Sequence, residues 1–290
     1  MRLAIGIATR GRAAILGEVL CELARQSRAP DRVLVCHVTE DDVAGLPARF
    51  PQVEFLASPA GLPRQRNAIL DRLGDCDAVL FLDDDFLPAP DYLAVTEAVL
   101  VTHPDCVVTT GTVIADGAKG PGLGVAEGRA VLAADVPPAD GMAVAPHFNG
   151  YGCNMAFRLA PLRAHGIRVD EALPLYGWYE DIDVTRALGR HGTILRLEGA
   201  RGVHLGSKSG RVSGLRLGYS QVANPVYLAR KGTFPWSHAI PSAARHTAMN
   251  ALRSLAPEPH VDRFGRLRGN LIALFDLLRG RAHPARILEL

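Results

Sequence analysis

The sequence lacks the features that mark secreted, disulfide-bonded or membrane-spanning proteins. Its five cysteines are scattered and include no C-x-x-C pair, so we expect reduced, buried thiols and neither a disulfide framework nor a cysteine zinc site. No run approaches 18 apolar residues, so no spanning helix is expected. The first residues lack the long apolar region and cleavage site of a signal peptide. We therefore expect a cytoplasmic protein.

The sequence also has little net charge. Its 32 basic and 30 acidic residues leave a formal net charge of +2, which is too small to indicate binding to nucleic acid. A hydrophobic content of 48% and a charged content of 21% are typical of a globular protein. A chain of 290 residues can form one large domain or two small ones.

Short apolar runs alternate with helical patterns through the first third of the chain. Residues 3–8, 33–38, 53–56 and 78–82 are predicted strands, and the helical spacing lies between them. This alternation predicts βαβ units and an α/β fold with a mostly parallel sheet. Residues 115–147 are rich in Gly, Ala and Pro and show little periodicity, so we expect a long irregular loop there.

Three consecutive acids, Asp83, Asp84 and Asp85, follow the buried run 78–82. The carboxyl ends of buried strands are where open α/β sheets bind ligands. Adjacent carboxylates repel one another and are best tolerated around a cation. Asp83 and Asp85 are two residues apart on an extended segment, so they can share one divalent ion. A solvated acidic turn is the alternative.

A second acidic group, Glu180, Asp181 and Asp183, opens a predicted helix. Helix capping explains one of these acids but not three. Trp178 and Tyr179 stand just before them and offer flat faces on which a sugar ring can rest. A carboxylate beside such faces can accept a proton from a sugar hydroxyl, which is the work of a general base.

A glycine-rich loop near residue 204 carries a histidine and two cations. His204 can serve as a metal ligand, and Lys208 and Arg211 follow it in a loop suited to phosphate. Displacement of a diphosphate requires all of these groups. A cation and basic residues neutralise the leaving group, and a carboxylate activates the nucleophile.

On these residues the chain resembles the inverting nucleotide-sugar glycosyltransferases of family 2, over roughly residues 3–211. The resemblance rests on five motifs in order: Ile5 to Arg12, Arg64-Gln65-Arg66-Asn67, Leu82 to Asp85, Gly152 to Arg158, and Gly166 to Glu171 followed by Glu180 to Asp183. It implies a GT-A (Rossmann-like) fold, with a catalytic domain over 1–215 and a helical extension over 216–290. Within that domain, 1–113 would bind the nucleotide sugar and 114–215 the acceptor.

The resemblance also implies the roles of individual residues. Asp181 would be the catalytic base, helped by Glu180, and Mn²⁺ or Mg²⁺ would bind to Asp83, Asp85 and His204. The nucleotide sugar, with a UDP-sugar favoured, would be bound by Thr9, Arg10, Arg12, Glu40, Arg66, Asp83, Asp84, Lys208 and Arg211. A glycan or lipid-linked acceptor, as in polysaccharide biosynthesis, would contact Asn154, Trp178 and Tyr179. The family's acid after the second strand could be any of Glu40, Asp41 and Asp42 here.

Two other functions stay open. A non-catalytic subunit could bind a nucleotide sugar through the same residues. A phosphotransferase could use Asp83 as its nucleophile, although three predicted strands precede the acids.

The C-terminal part is basic, with eight arginines against four acids from Arg245 to Leu290. Leu267, Leu271, Leu274 and Leu278 fall on one face of a predicted helix. Such a helix can lie peripherally on the inner face of an anionic membrane, or it can pack its leucines into the protein.

Overall fold

The computed structural model describes residues 1–208 and 213–290. Its contacts divide the chain into two compact units. The sheet unit comprises Met1–Ala60, Arg64–Arg168 and Ala187–Gly210, and the helical unit comprises Gly61–Pro63, Val169–Arg186 and Arg211–Leu290.

The described part of the sheet unit contains one nine-stranded sheet. Its strands are β1 Leu3–Ala8, β2 Arg32–His37, β3 Glu54–Ala57, β4 Ala78–Asp83, β5 Phe86–Pro88, β6 Cys106–Asp116, β7 Val144–Pro146, β8 Asn154–Arg158 and β9 Thr193–His204. The strand order is β3-β2-β1-β4-β8-β6-β9-β5, and β7 pairs with β9. The half β3-β2-β1-β4 is parallel as predicted. Beyond it, β8, β5 and β7 pair antiparallel to their neighbours, while β6 and β9 are parallel.

The described residues also form α-helices. They are α1 Ala13–Leu23, α2 Leu46–Arg49, α3 Leu62–Leu70, α4 Tyr92–Thr102, α5 Val125–Ala134, α6 Leu159–Ala164, α7 Glu180–Leu188, α8 Gly214–Lys231, α9 Trp236–Arg253 and α10 Arg263–Leu278. Among the described residues, none of the helices is both long enough and apolar enough to cross a membrane.

The core of the sheet unit forms around β1 and β4, which are buried along their length except for their last residues. Gly6 allows a close approach at the centre of β1, because a Cβ there would lie 2.8 Å from the Phe81 ring and 2.9 Å from Ile69. Phe81 also packs edge-to-face on Phe157, with ring centroids 5.6 Å apart. This dense packing fixes the end of β4, where the three aspartates stand.

The prediction of an irregular loop over residues 115–147 was wrong. β6 continues through Asp116, α5 forms within the segment, and β7 follows it. Arg129 of α5 forms ion pairs with Glu18 and Glu22 of α1, and Val131 and Leu132 pack on the core. The low helical periodicity of this Ala- and Gly-rich helix concealed it.

The helical unit is built around the contact between α8 and α10. The two helices approach closely at Gly218 and Gly269, where a Cβ would meet the backbone of the other helix at 2.0 and 2.1 Å. Asn270 donates a hydrogen bond to the Gly218 carbonyl at 2.7 Å and accepts one from Asn250 at 2.8 Å. Polar side chains thus occupy much of this interior.

Candidate functional site

Strand pairing brings the acids after β4 next to the end of β9. β5 runs antiparallel to β9, with Phe86 opposite His204, and the Leu205 amide donates a hydrogen bond to the Asp85 carbonyl at 2.9 Å. Two segments more than one hundred residues apart in the sequence therefore meet at one edge of the sheet. This pairing is the backbone basis of the candidate site.

Asp83, Asp85 and His204 form a cluster at this edge. Each residue offers one ligand atom, and the three atoms lie within 4.8 Å of one another. His204 Nε2 lies 3.4 Å from Asp85 Oδ1 and 3.8 Å from Asp83 Oδ2. Asp85 Oδ1 is buried, with no hydrogen-bond partner among the described residues. Because an unbonded buried carboxylate oxygen is costly, these oxygen and imidazole donors fit a divalent cation.

Asp116 orients the histidine of this cluster. In the parallel pairing of β6 and β9, Asp116 stands opposite His204, and His204 Nδ1 donates a hydrogen bond to Asp116 Oδ1 at 2.9 Å. Asp116 also accepts hydrogen bonds from the Tyr151 hydroxyl and the Ala118 amide, each at 3.1 Å. With Nδ1–H engaged in this way, the Nε2 lone pair is directed to a metal, as in carboxylate–histidine–metal triads.

The cluster is strongly negative. Burial alone lowers the pKa of His204, but the hydrogen bond to Asp116 and the nearby charges of Asp85 and Asp83 raise it to about 10. Burial raises the pKa of Asp116, but the hydrogen bond to His204, the charge of that imidazole and the hydrogen bonds from Ala118 and Tyr151 together lower it to about 2. The negative charges that favour the protonated imidazole would also favour a divalent cation, which has to displace the proton in order to bind.

Asp84 has different partners from Asp83 and Asp85. Its two carboxylate oxygens accept hydrogen bonds from Thr9 Oγ1 and Arg12 Nη1, each at 2.7 Å. Burial raises the pKa of Asp84 to about 7, although the charge of Arg12 opposes this shift. The middle aspartate therefore anchors the loop after β1 and leaves its neighbours to form the ligand cluster.

The loop after β1 is held by two further buried side chains. Asp42 accepts hydrogen bonds from the amides of Gly11, Val38 and Thr39 at 2.7 to 3.0 Å. Gln65 donates to the carbonyls of Thr9 and Cys36 at 2.9 and 2.8 Å. Both residues fix the backbone of segments that, by the family resemblance, would bind the nucleoside.

The other predicted nucleotide-binding residues have varied surroundings. Arg10 and Glu40 are exposed. Arg66 is 1% exposed, donates to the Gly152 carbonyl at 2.6 Å, and lies 3.5 Å from Asp83 Oδ1. Lys208 Nζ donates to the Gly117 carbonyl at 3.0 Å. Arg211 lies outside the described residues.

Asn154, a predicted acceptor contact, is fully buried in β8. Its amide oxygen accepts a hydrogen bond from Thr110 at 3.0 Å, and its amide nitrogen donates to the Gly111 carbonyl at 3.0 Å. These bonds link β8 to β6. A direct contact with an acceptor stays a prediction.

In the helical unit, the first turn of α7 carries the second acidic group. Asp183 is buried and bonds to Lys231 at 2.6 Å and to Thr233 at 2.5 Å, so it has a structural role. Glu180 is also buried. Asp181 is half-buried and accepts a hydrogen bond from the Ile182 amide at 2.8 Å.

Two stacked aromatic side chains precede this turn. Trp178 and Tyr179 have ring centroids 5.1 Å apart, and the Tyr179 hydroxyl bonds to Ser242 at 2.6 Å. Tyr179 has a φ of +73°, a strained conformation for a residue with a side chain. The indole Nε1 of Trp178 is buried and has no hydrogen-bond partner among the described residues.

The sequence prediction did not include Asp116, Tyr151 or Gln65. Asp116 carried a usable signal, because it directly follows the apolar end of β6, just as Asp83 follows that of β4. Tyr151 and Gln65 carried no comparable signal. Their roles depend on strand pairing and loop geometry that a single sequence does not reveal.

No protein-family model matches this sequence, and no curated protein matches it either. Solved glycosyltransferases share its fold. S. aureus TarS 1–349 aligns over 99% of this chain and 82% of its own, with a TM-score of 0.60 and 16% identity. The Pyrobaculum calidifontis mannosyltransferase PcManGT, solved with GDP-Man and Mn²⁺, aligns over 97% and 88%, with a TM-score of 0.56 and 17% identity. The chain has the GT-A fold.

GalNAc-T7, solved with UDP, GalNAc and Mn²⁺, aligns over 100% of this chain and 56% of its own, with a TM-score of 0.60 and 11% identity. TarS 1–349 has also been solved with UDP-GlcNAc. The predicted α/β class, with helices around the sheet and after it, is thus confirmed. At identities of 11 to 17%, the likeness concerns the fold, and activity must be argued from the site.

Proposed function

We propose that this protein is a metal-dependent, inverting glycosyltransferase of family 2. It moves a sugar from a nucleotide-diphosphate sugar to a hydroxyl group of an acceptor. The observation that carries this proposal is the cluster of Asp83, Asp85 and His204 with the unbonded oxygen of Asp85. The cluster stands at the edge of a GT-A sheet, and two proteins of that fold were solved with Mn²⁺.

The same residues would hold Mn²⁺ or Mg²⁺, with Asp116 fixing the imidazole from behind. When bound, the ion neutralises charge on the diphosphate leaving group. Lys208 and Arg211 add positive charge for the diphosphate. Thr9, Arg10, Arg12 and Glu40 belong to the segments that we assign to the nucleoside, and Arg66 supports Asp83.

The acceptor side of the reaction is assigned to residues of the helical unit. Asp181 takes the proton from an acceptor hydroxyl, and that oxygen attacks the anomeric carbon on the face opposite the diphosphate. The bond to the diphosphate breaks and the configuration inverts. Glu180 helps to hold the acceptor, and Trp178 and Tyr179 offer ring faces for a sugar.

Among donors, we favour a UDP-sugar, because TarS and GalNAc-T7 were solved with UDP or a UDP-sugar. GDP-mannose is the second candidate, since PcManGT was solved with it. We assign the acceptor to a glycan or lipid-linked glycan in polysaccharide biosynthesis, which accords with a peripheral position at the inner face of a membrane.

The stereochemistry of donor hydrolysis tests this proposal without a known acceptor. UDP-GlcNAc and GDP-mannose are incubated with the protein and Mn²⁺, and NMR follows the first sugar anomer released to water. We expect the anomer opposite to that of the donor. Release with the donor's own configuration would refute the inverting mechanism.

Two variants separate catalysis from binding. Asp181→Asn should lower turnover by about 10²–10⁴-fold, the usual contribution of a general base, while donor affinity stays nearly unchanged. Asp75→Asn, at an exposed acid before β4, is the matched control and should retain activity. If donors bind but Asp181→Asn leaves their hydrolysis unchanged, Asp181 is not the base. If the wild type binds a donor but never turns it over, the non-catalytic subunit is the better assignment.

A further inference from the structure

Although Ile272 and Leu277 pack against the apolar core of the helical unit, helix α10 exposes several large apolar side chains. Its buried residues are Gly269, Asn270, Ala273 and Asp276. On the opposite side, Phe264, Leu271, Phe275 and Leu278 are between 50% and 88% exposed. Their spacing of 7, 4 and 3 residues places them in one stripe along the helix. A helix packed on a protein usually buries its large apolar side chains and exposes its polar ones. Here a stripe of large apolar side chains is exposed, which is typical of a surface that contacts a binding partner.

The interior of the helical unit explains why the polar side faces inward. Gly218 and Gly269 let α8 and α10 approach closely. Asn270 bonds across this contact, and Asp276 accepts a hydrogen bond from Tyr219 at 3.0 Å. Turning the leucines inward would break these bonds and force the two backbones apart. The outward stripe is thus fixed by the packing.

Two more large apolar side chains are exposed in the segment that precedes α10. Leu252, near the end of α9, is 69% exposed, and Leu255, just after that helix, is 87% exposed. The chain passes from there directly into α10. Several large apolar side chains are thus exposed within a segment of about thirty residues, well beyond the scattered single residues of an ordinary surface.

The charge around the stripe has one sign. Residues 263–281 contain five arginines and a single acid, Asp276, which is buried. Arg268, Arg279 and Arg281 are exposed, and the Arg279 guanidinium lies 3.8 Å from the centre of the Phe275 ring. Within this fully described segment, no exposed carboxylate interrupts the surface.

We infer that the outer face of α10 docks on an anionic lipid surface. Phe264, Leu271, Phe275 and Leu278 enter the boundary between head groups and acyl chains, while the arginines meet the lipid phosphates. A second copy of the chain is a poorer occupant, because symmetric pairing through this face would bring arginines against arginines. The inference does not depend on the transfer chemistry, so it can fail or succeed separately from the proposed function.

Vesicle flotation with the full chain tests this inference. One set of vesicles contains phosphatidylcholine alone, and the other contains phosphatidylcholine with phosphatidylglycerol. We expect flotation with the second set only, and weaker binding at high salt. The double variant Leu271→Glu/Phe275→Glu should lose binding. Val136→Glu, at an apolar side chain of the sheet unit that is 83% exposed, is the matched control and should still float.

A second variant guards against misfolding as the cause of lost binding. Arg268→Gln/Arg281→Gln changes only exposed side chains and should weaken binding by roughly fivefold per arginine. Circular dichroism should be unchanged for all variants. Absence of flotation by the wild type, or full binding by Leu271→Glu/Phe275→Glu, would overturn the inference. A dimer in sedimentation that this double variant dissociates would assign the face to a second copy instead.

Discussion

The central strands of the sheet unit and helix α10 of the helical unit bury different kinds of side chain. In the sheet unit, β1 and β4 are continuous apolar runs, and the polar residues gather where the strands end. In the helical unit, α10 buries an asparagine, an aspartate and two small residues, and it exposes phenylalanine and leucine. A dense apolar core can hold acids and a histidine in a fixed cluster. Because α10 buries polar and small side chains, several of its large apolar side chains stay on the surface, where a partner can bind.

The largest effect should come from breaking the apolar core of the sheet unit. Phe81→Ala removes a ring that packs on Phe157 and beneath Arg66, and should lower the free energy of unfolding by about 3–5 kcal/mol. Denaturant titration followed by circular dichroism measures this. A loss below about 1 kcal/mol would mean that this core is not the rigid frame of the site.

The next largest effect should be on Mn²⁺ affinity, when the Asp116 carboxylate that bonds to His204 is removed. Asp116→Ala leaves the ligands in place but frees the imidazole to rotate, so Mn²⁺ affinity should fall by about 10–100-fold. Titration calorimetry with Mn²⁺ measures the change, and Asp75→Ala at an exposed acid serves as control. Unchanged affinity would separate Asp116 from the metal site.

The polar core of the helical unit should be moderately sensitive. Asn270→Ala leaves the Gly218 carbonyl and the Asn250 amide each without one of its partners. We expect a loss of about 1–3 kcal/mol in the free energy of unfolding, read from the thermal transition. A more stable variant would show that these bonds do not hold α8 and α10 together.

The smallest effect on stability should follow from replacing Leu271 of α10, although the same change at a buried leucine would be severe. Leu271→Ser removes an apolar side chain that already faces water, so stability should change by no more than about 0.5 kcal/mol. Denaturant titration beside Phe81→Ala gives the contrast directly. A loss of several kcal/mol, as for a core leucine, would place Leu271 inside the protein and remove the basis for lipid docking.

The prediction from sequence was best for strands whose apolar residues form a continuous run and are buried in the structure. β1 to β4 are short apolar runs bounded by polar loops, and they form the parallel half of the sheet. α5 was missed because an Ala- and Gly-rich helix shows little periodicity. β9 runs from Thr193 to His204, a length that depends on pairing with β6 and β5.

In the candidate site, too, local sequence pattern predicted some residues, whereas others depend on strand pairing. Asp83 and Asp85 could be grouped from their spacing, although the structure has a turn at Asp84 and Asp85 where an extended segment was predicted. The part played by Asp116 depends on the register of β6 against β9, which involves residues 88 positions apart. For α10, the leucine stripe could be predicted but its direction could not. Which face of α10 is buried depends on the glycines and asparagines at its contacts with the neighbouring helices.

The most direct test of the central claim is calorimetry with UDP, GDP, dTDP and CDP, each with Mn²⁺ and with EDTA. We predict that one nucleotide binds with Mn²⁺, that EDTA abolishes the binding, and that Asp85→Asn does the same while Asp75→Asn does not. Binding by none of the four, or binding that EDTA and Asp85→Asn leave intact, would contradict the assignment of Asp83, Asp85 and His204 as a nucleotide-sugar metal site.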